Sequence, residues 1–220
     1  MKVQQTTDSN TLFTFFGKGH WSEKAQKFVP STKPLMDVDI AWVGNYVLSE
    51  RAKPQTLELR QLMNRDYDHT PQGIKQHEQS QRDFKLLEFD AVAGAGTFSY
   101  GNANGLVERS PYIVIDIDDL DSTEEARQVQ QRLIADTEVT TALCFLSPKG
   151  LGCKWWAELP EWCQYMTFAE QYATLSRYIG YEYGIQADST GSNVNRLCFL
   201  PHDPQCFINP KYTNNNEQLF

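Results

Sequence analysis

The chain has 220 residues, 40% hydrophobic and 12% aromatic, an ordinary globular composition that excludes a fibrous or wholly disordered protein. No run reaches the roughly 18 apolar residues of a membrane span, and Leu12–Phe16 is too short for a signal-peptide core, so the sequence reads as cytoplasmic with no membrane partner. The formal charge of −8 lies wholly in residues 111–220, which carry 7 basic against 15 acidic side chains; that excludes a protein coating DNA through a basic surface.

Residues 1–30 mix aromatics with lysines, and Pro30–Pro34 reads as a connector. Short elements of mixed type are expected over 38–70, including Ile40–Leu48 and a helical Thr56–Asn64. Asp66–Gln81 is polar enough for a surface loop or an exposed helix. The Gly- and Asn-rich residues 91–105 must contain turns.

From Tyr112 the pattern sharpens. Tyr112–Ile117 is a β-branched apolar run, hence a buried strand. Ser122–Glu125 has the form of a capping box, and Ala126, Val129, Leu133 and Ile134 follow at helical spacing. Thr140–Leu146 and Cys153–Leu159 read as strands joined by the turn Ser147–Gly152. A helix is expected over Trp162–Tyr183, with Gly184 to end it, and a last strand over Arg196–Leu200, stopped by Pro201. The order βαββαβ is the split-βαβ plan of ferredoxin-like and RNA-recognition (RRM) folds. The fold class is therefore α+β: an RRM/ferredoxin-like core over 106–220, and an N-terminal mixed α/β module, 1–105, packed on it. In that plan the last strand lies antiparallel beside the first, which brings Asp188 to Asp116 and Asp118.

Residues i and i+2 of a strand share a face, so Asp116 and Asp118 can grip the same cation while Ile115 and Ile117 face the core. Two carboxylates so close repel unless neutralised, and hard oxygen ligands select Mg²⁺ or Mn²⁺. The same D-x-D pattern occurs in aspartyl-nucleophile phosphatases, in sugar-nucleotide transferases and at strand ends turning into solvent. A phosphatase of that kind would place Thr or Val where Leu120 stands.

In Ser147–Lys154 (SPKGLGCK), Gly150 and Gly152 let backbone N–H groups approach an anion, with Lys149 and Lys154 as point charges. An ordinary Gly-containing β-turn with solvated lysines has the same composition. The G-K-[ST] of a Walker A loop is absent. Arg196 is placed to contact a triphosphate or to form a structural salt bridge. Of the adjacent Trp155 and Trp156, one ring is core and the other is available for base stacking. The five cysteines lack C-x-x-C spacing and read as free thiols. His202 and Asp203, between two prolines, are assigned no chemistry.

In order, these segments resemble the archaeo-eukaryotic primase (primase–polymerase) superfamily, and most closely the VirE N-terminal-like primase domains of mobile genetic elements. Ile113–Leu120 (IVIDIDDL) is similar to their first motif and Phe145–Lys154 (FLSPKGLGCK) to their second. Tyr183–Asp188 (YGIQAD), Asn195–Phe199 (NRLCF) and Asp203–Pro204 are similar to their third. The resemblance spans about 84–210, with Phe84–Lys85 near its start. It implies the primase–polymerase fold, with both modules as one catalytic unit in replication of a mobile element or phage. The activity implied is two-metal DNA primase/polymerase nucleotidyl transfer. Asp116, Asp118 and Asp188 become catalytic metal ligands for Mg²⁺ or Mn²⁺. Ser147, Lys149, Gly150, Gly152, Lys154 and Arg196 become nucleotide-binding residues. The implied partners are a single-stranded DNA template with primer, a dNTP or rNTP, and a replicative helicase in cis or in trans. The superfamily's phosphate-binding histidine has no counterpart here; Lys154 stands nearest its place. A catalytically weakened nucleic-acid- or nucleotide-binding module that recruits a helicase is the alternative expectation.

Overall fold

The computed structural model describes residues 11–163 and 165–213. Strand β1 (Phe13–Phe16), the hairpin β2 (His20–Ser22) and β3 (Lys27–Val29), and β4 (Pro34–Val38) lead to three helices, α1 (Ile40–Leu48), α2 (Lys53–Met63) and α3 (Pro71–Glu88). Then come β5 (Ala91–Ala93) and the hairpin β6 (Gly96–Phe98) and β7 (Leu106–Arg109). The second half runs β8 (Tyr112–Ile117), α4 (Thr123–Ile134), β9 (Thr141–Leu146), β10 (Cys153–Glu158), α5 (Phe168–Tyr183), β11 (Leu197–Phe199) and β12 (Phe207–Ile208). The architecture is mixed α/β with antiparallel sheets. Among the described residues no helix is long and apolar enough to cross a membrane.

Helix boundaries follow their caps. Asp39 accepts from the Trp42 N–H at 2.7 Å and starts α1. Thr70 accepts from Gly73 and starts α3 within the polar stretch, so Asp66–Gln81 is loop, then helix. The last long helix begins at Phe168 rather than Trp162, because Thr167 and Glu170 form a reciprocal capping box there; Glu161–Cys163 is a 3₁₀ turn. Gly184, at φ 68°, ends α5 in the left-handed conformation that favours glycine. At α4, Ser122 caps the Glu125 N–H, while the Glu125 carboxylate reaches back to the Asp121 N–H at 2.8 Å.

One sheet has the order β12-β9-β10-β8 and is buried on both faces. On one side Ile113, Ile115, Ile117, Cys144 and Trp155 pack against Ala126, Val129 and Leu133 of α4 and Leu175 and Ile179 of α5. On the other, Tyr112, Leu143, Phe145 and Trp156 pack against Phe13 and Phe15 of β1 and Val43 and Val47 of α1. Side chains from both halves of the chain therefore build that second core. The strand period of two sends Trp155 and Trp156 to opposite sides, and both are fully buried. Neither offers a base-stacking face, which corrects the expectation for that pair.

The last strand also departs from the expected plan. β8, β10 and β9 are neighbours as a split-βαβ core requires, but β11 does not pair with β8. It pairs antiparallel with β5 in a second sheet, β11-β5-β1-β4, in the register Leu197↔Ala93, Cys198↔Val92, Phe199↔Ala91. The physical reason lies in the segment before it. The Asp188 N–H bonds the Asp116 carbonyl at 2.9 Å, and a 3₁₀ turn, Ser189–Ser192, then carries the chain across to β5. Gly191 permits the crossing: a Cβ there would lie 2.3 Å from the Tyr172 hydroxyl oxygen.

Candidate functional site

β8 carries an apolar side chain at every position but one. Tyr112 and Val114 point into the inter-sheet core, and Asp116 continues that same face to its end. Asp118 follows one period later, past the strand's last residue. Asp119 turns the chain at φ 60°, a left-handed conformation that Asp tolerates better than most residues, and the Leu120 N–H then bonds the Leu151 carbonyl at 3.0 Å. With Asp188 fixed to Asp116 through the backbone, Asp116, Asp118 and Asp188 each offer a carboxylate oxygen, all within 4.8 Å of one another. The convergence expected from the sequence is present, reached by a backbone contact at the edge of β8 rather than by a paired strand.

Two cations stand against these three carboxylates. Lys154 lies directly opposite Asp116 in the β8–β10 register, and its Nζ is ion-paired with Asp116 Oδ1 and lies 4.0 Å from Asp118. Arg196, just before β11, reaches Asp188 at 3.1 Å and Asp116 at 4.0 Å. Burial lifts the Asp116 carboxyl above the usual aspartate value, opposed chiefly by the Lys154 charge. For Lys154 burial acts the other way, but the Asp116 and Asp118 carboxylates overcome it and hold the ammonium charged. Slight burial of Asp188 is outweighed by bonds from the Thr190 hydroxyl and N–H, at 2.6 and 2.9 Å, which keep it below the ordinary value. The cluster is left one positive charge short, and its donors are all hard oxygens; both features fit a divalent cation.

Beside the cluster opens a cleft of about 460 Å³ lined by Asp116, Asp118, Ser147, Lys149, Lys154 and Arg196. The β9–β10 turn forms one wall: the Ser147 N–H bonds the Gly152 carbonyl and the Gly150 N–H the Ser147 carbonyl, each at 2.8 Å. Gly150 and Gly152 shape that turn without lining the cleft. A Cβ on Gly152 would sit 2.0 Å from the Ile117 carbonyl oxygen, so only glycine lets the turn lie flat on the strand that carries the aspartates. Arg60 of α2 props the turn from behind, donating to the Pro148 carbonyl at 3.3 Å.

Sequence reasoning overlooked three contributors. Lys85 and Arg82, on one face of α3, line the same cleft from the N-terminal half. Their three-residue spacing was a legible signal, placed just beyond the polar stretch Asp66–Gln81. Tyr172 of α5 donates to the Asp188 carbonyl at 2.5 Å and so holds the third carboxylate from beneath. His202 and Asp203 stay outside the site. His202 Nδ1 lies 2.8 Å from the Ser49 carbonyl, and the fully buried Asp203 pairs with Arg127 and accepts the Leu146 N–H at 2.7 Å. All five cysteines are free, and among the described residues the aspartate trio is the one acidic, His or Cys grouping with metal-ligand spacing.

In comparison with known families, the family described as BT4734-like, N-terminal domain matches residues 83–207, from the end of α3 through the aspartates and the glycine turn to β12. No curated protein and no solved structure matches the chain.

Proposed function

The chain belongs to the BT4734-like N-terminal domain family, and from its site we propose that it is the catalytic domain of a DNA primase–polymerase, transferring nucleotides to a 3′-hydroxyl under a template's direction. The observation that carries this reading is the three-carboxylate cluster opening onto a cleft lined by lysine and arginine. Carboxylates that hold cations, set next to cations that hold phosphates, are the combination that phosphoryl transfer requires.

Asp116, Asp118 and Asp188 would hold Mg²⁺ or Mn²⁺, which when bound lowers the pKa of the attacking hydroxyl and stabilises the leaving oxygen. The protein's own groups do the rest. Lys149, Lys154 and Arg196 neutralise and orient the triphosphate. Gly150 and Gly152 shape the turn that carries Ser147 and Lys149 to the cleft. In the reaction the 3′-hydroxyl gives up its proton to solvent, its oxygen bonds the α-phosphorus, the bond from that phosphorus to the β-phosphate oxygen breaks, and pyrophosphate leaves. The order β8-β10-β9 with α4 and α5 on one face supports a primase–polymerase type of core, and the β11–β5 pairing marks where this chain differs from a simple RRM-like plan.

One observation favours a second reading. Lys154 already satisfies the innermost carboxylate oxygen, as would suit a module that binds nucleotide or single-stranded DNA with little catalysis and recruits a helicase. A primed single-stranded template, labelled dNTPs and Mn²⁺ separate the two. Extension by the wild type, lost in Asp116→Ala and Asp188→Ala, supports the polymerase. No extension with retained nucleic-acid binding supports the module. Phosphate release from a simple monoester defeats both.

A further inference from the structure

Lys85 has an unusual position for a lysine. It sits in the last turn of α3, half-buried, with its side chain on the cleft wall. Among the described residues its ammonium makes no hydrogen bond and no ion pair. A buried ammonium is costly unless compensated. Here the nearest charges include Lys154 and Lys149, so burial and then the like charges push the amine down to about 8, with Asp118 and Asp116 pulling weakly the other way. The carboxylates that could compensate it are engaged by Lys154 and Arg196. Arg82, one turn back, is spoken for by Glu78 at 3.1 Å. Two amines that line the cleft, Lys85 from α3 and Lys149 from the β9–β10 turn, therefore face it without protein partners among the described residues.

We infer that Lys85 and Lys149 form a two-sided clamp for the polyphosphate tail of a nucleoside triphosphate, and that Lys85 is a nucleotide-binding residue contributed by the N-terminal half of the chain. This deepens the reading of the cleft as a nucleotide site. Three observations converge on a compact polyanion rather than a strand of nucleic acid. The two amines, from different elements, line a cleft of about 460 Å³, a volume suited to one small ligand. They lie beside the metal-type carboxylate trio, where a triphosphate would share its charge with bound cations. The second half of the chain, which holds the trio, has an acidic excess, unsuited to tracking a long phosphate backbone.

The test uses the full chain with Lys85→Met, which keeps the aliphatic stem and removes the charge, and Lys85→Arg, which keeps the charge. Calorimetry would measure binding of a dNTP with Mg²⁺ and of inorganic tripolyphosphate; fluorescence anisotropy would measure binding of a labelled single-stranded oligonucleotide. Lys85→Met should weaken both triphosphate ligands on the order of 10- to 100-fold, leave the oligonucleotide within about twofold, and match or exceed the wild type in thermal stability, because an uncompensated buried charge is removed. Lys85→Arg should recover most of the affinity. Unchanged tripolyphosphate binding in Lys85→Met, equal weakening of the oligonucleotide, no tripolyphosphate binding by the wild type, or loss of fold stability alone would each overturn the clamp. The clamp and the polymerase fail separately: triphosphate binding that depends on Lys85 without primer extension keeps the clamp and removes the polymerase. Extension indifferent to Lys85 does the reverse.

Discussion

The backbone N–H of Asp188 donates to the carbonyl of Asp116 at 2.9 Å, so main chain ties the residue that bears the third carboxylate to β8, whatever its side chain. Replacing the side chain should therefore leave the geometry of β8 intact. Asp188→Asn and Asp188→Ala are expected to keep the wild-type fold by circular dichroism while weakening Mn²⁺ binding, followed by electron paramagnetic resonance. Any primer extension should drop roughly 100-fold or more. Undiminished Mn²⁺ binding in Asp188→Ala would show that the trio is not a metal site.

Lys154 and Asp116 are both nearly buried and face each other across two strands. Removing one partner strands the other's charge, so Lys154→Met should cost about 3–5 kcal/mol of stability in metal-free buffer, read by urea unfolding. The double variant Asp116→Asn with Lys154→Met should recover much of that loss, a coupling that a double-mutant cycle measures directly. Divalent metal should stabilise Lys154→Met more than the wild type, since it would replace the missing cation. Additive single-variant costs would contradict the pairing.

Gly152 lies where a Cβ would strike the Ile117 carbonyl oxygen. Gly152→Ala is expected to destabilise the fold by about 1–3 kcal/mol and to move Asp118, whose Cα is 3.0 Å from the position the new methyl would take. Metal affinity should fall even where the protein remains folded, measured at a temperature well below its melting point. Gly184→Ala makes the contrast: nothing lies within 4 Å of a Cβ there, but φ is 68°, so it should lose stability while leaving metal affinity unchanged.

Acid stability should depend on Asp136, far from the cleft. Partial burial of this carboxylate would raise it, but hydrogen bonds from Tyr183, Tyr178 and the N–H groups of Val139 and Glu138 prevail and hold it below the ordinary 3.8. A depressed folded-state pKa means that its contribution is complete above about pH 4 and is lost as pH falls through the lower folded value. Asp136→Asn should thus lower the melting temperature at pH 7 and flatten its fall below about pH 4. An acid limb as steep as the wild type's would assign that loss to other carboxylates.

Legibility in the sequence tracked how local each determinant is. The strand Tyr112–Ile117, the helix after Ser122 and the stop at Gly184 were readable because period, cap and breaker act within a few residues. The D-x-D face and the glycine turn were readable for the same reason, and Asp116, Asp118, Ser147, Lys149, Lys154 and Arg196 line one cleft, with Asp188 beside it in the carboxylate cluster. The partner of β11 was not readable. A three-residue apolar strand is compatible with any open sheet edge, and the choice of β5 over β8 rests on a backbone bond and on one glycine against Tyr172. Lys85 was passed over because nothing local marks it: the residues that share its cleft, from Asp116 to Phe199, come from the far half of the chain.

The pairing of β11 with β5 also sets an order of assembly. β5 is made nearly half a chain before its partner, and closing so long a loop carries an entropic cost that slows folding. During synthesis the strand bearing Asp116 and the glycine turn emerge before Asp188 and Arg196, so the carboxylates would first meet Lys154 alone. The Lys154–Asp116 pair then acts as an internal placeholder, quieting a buried charge until the segment leading into β11 arrives to complete the cluster.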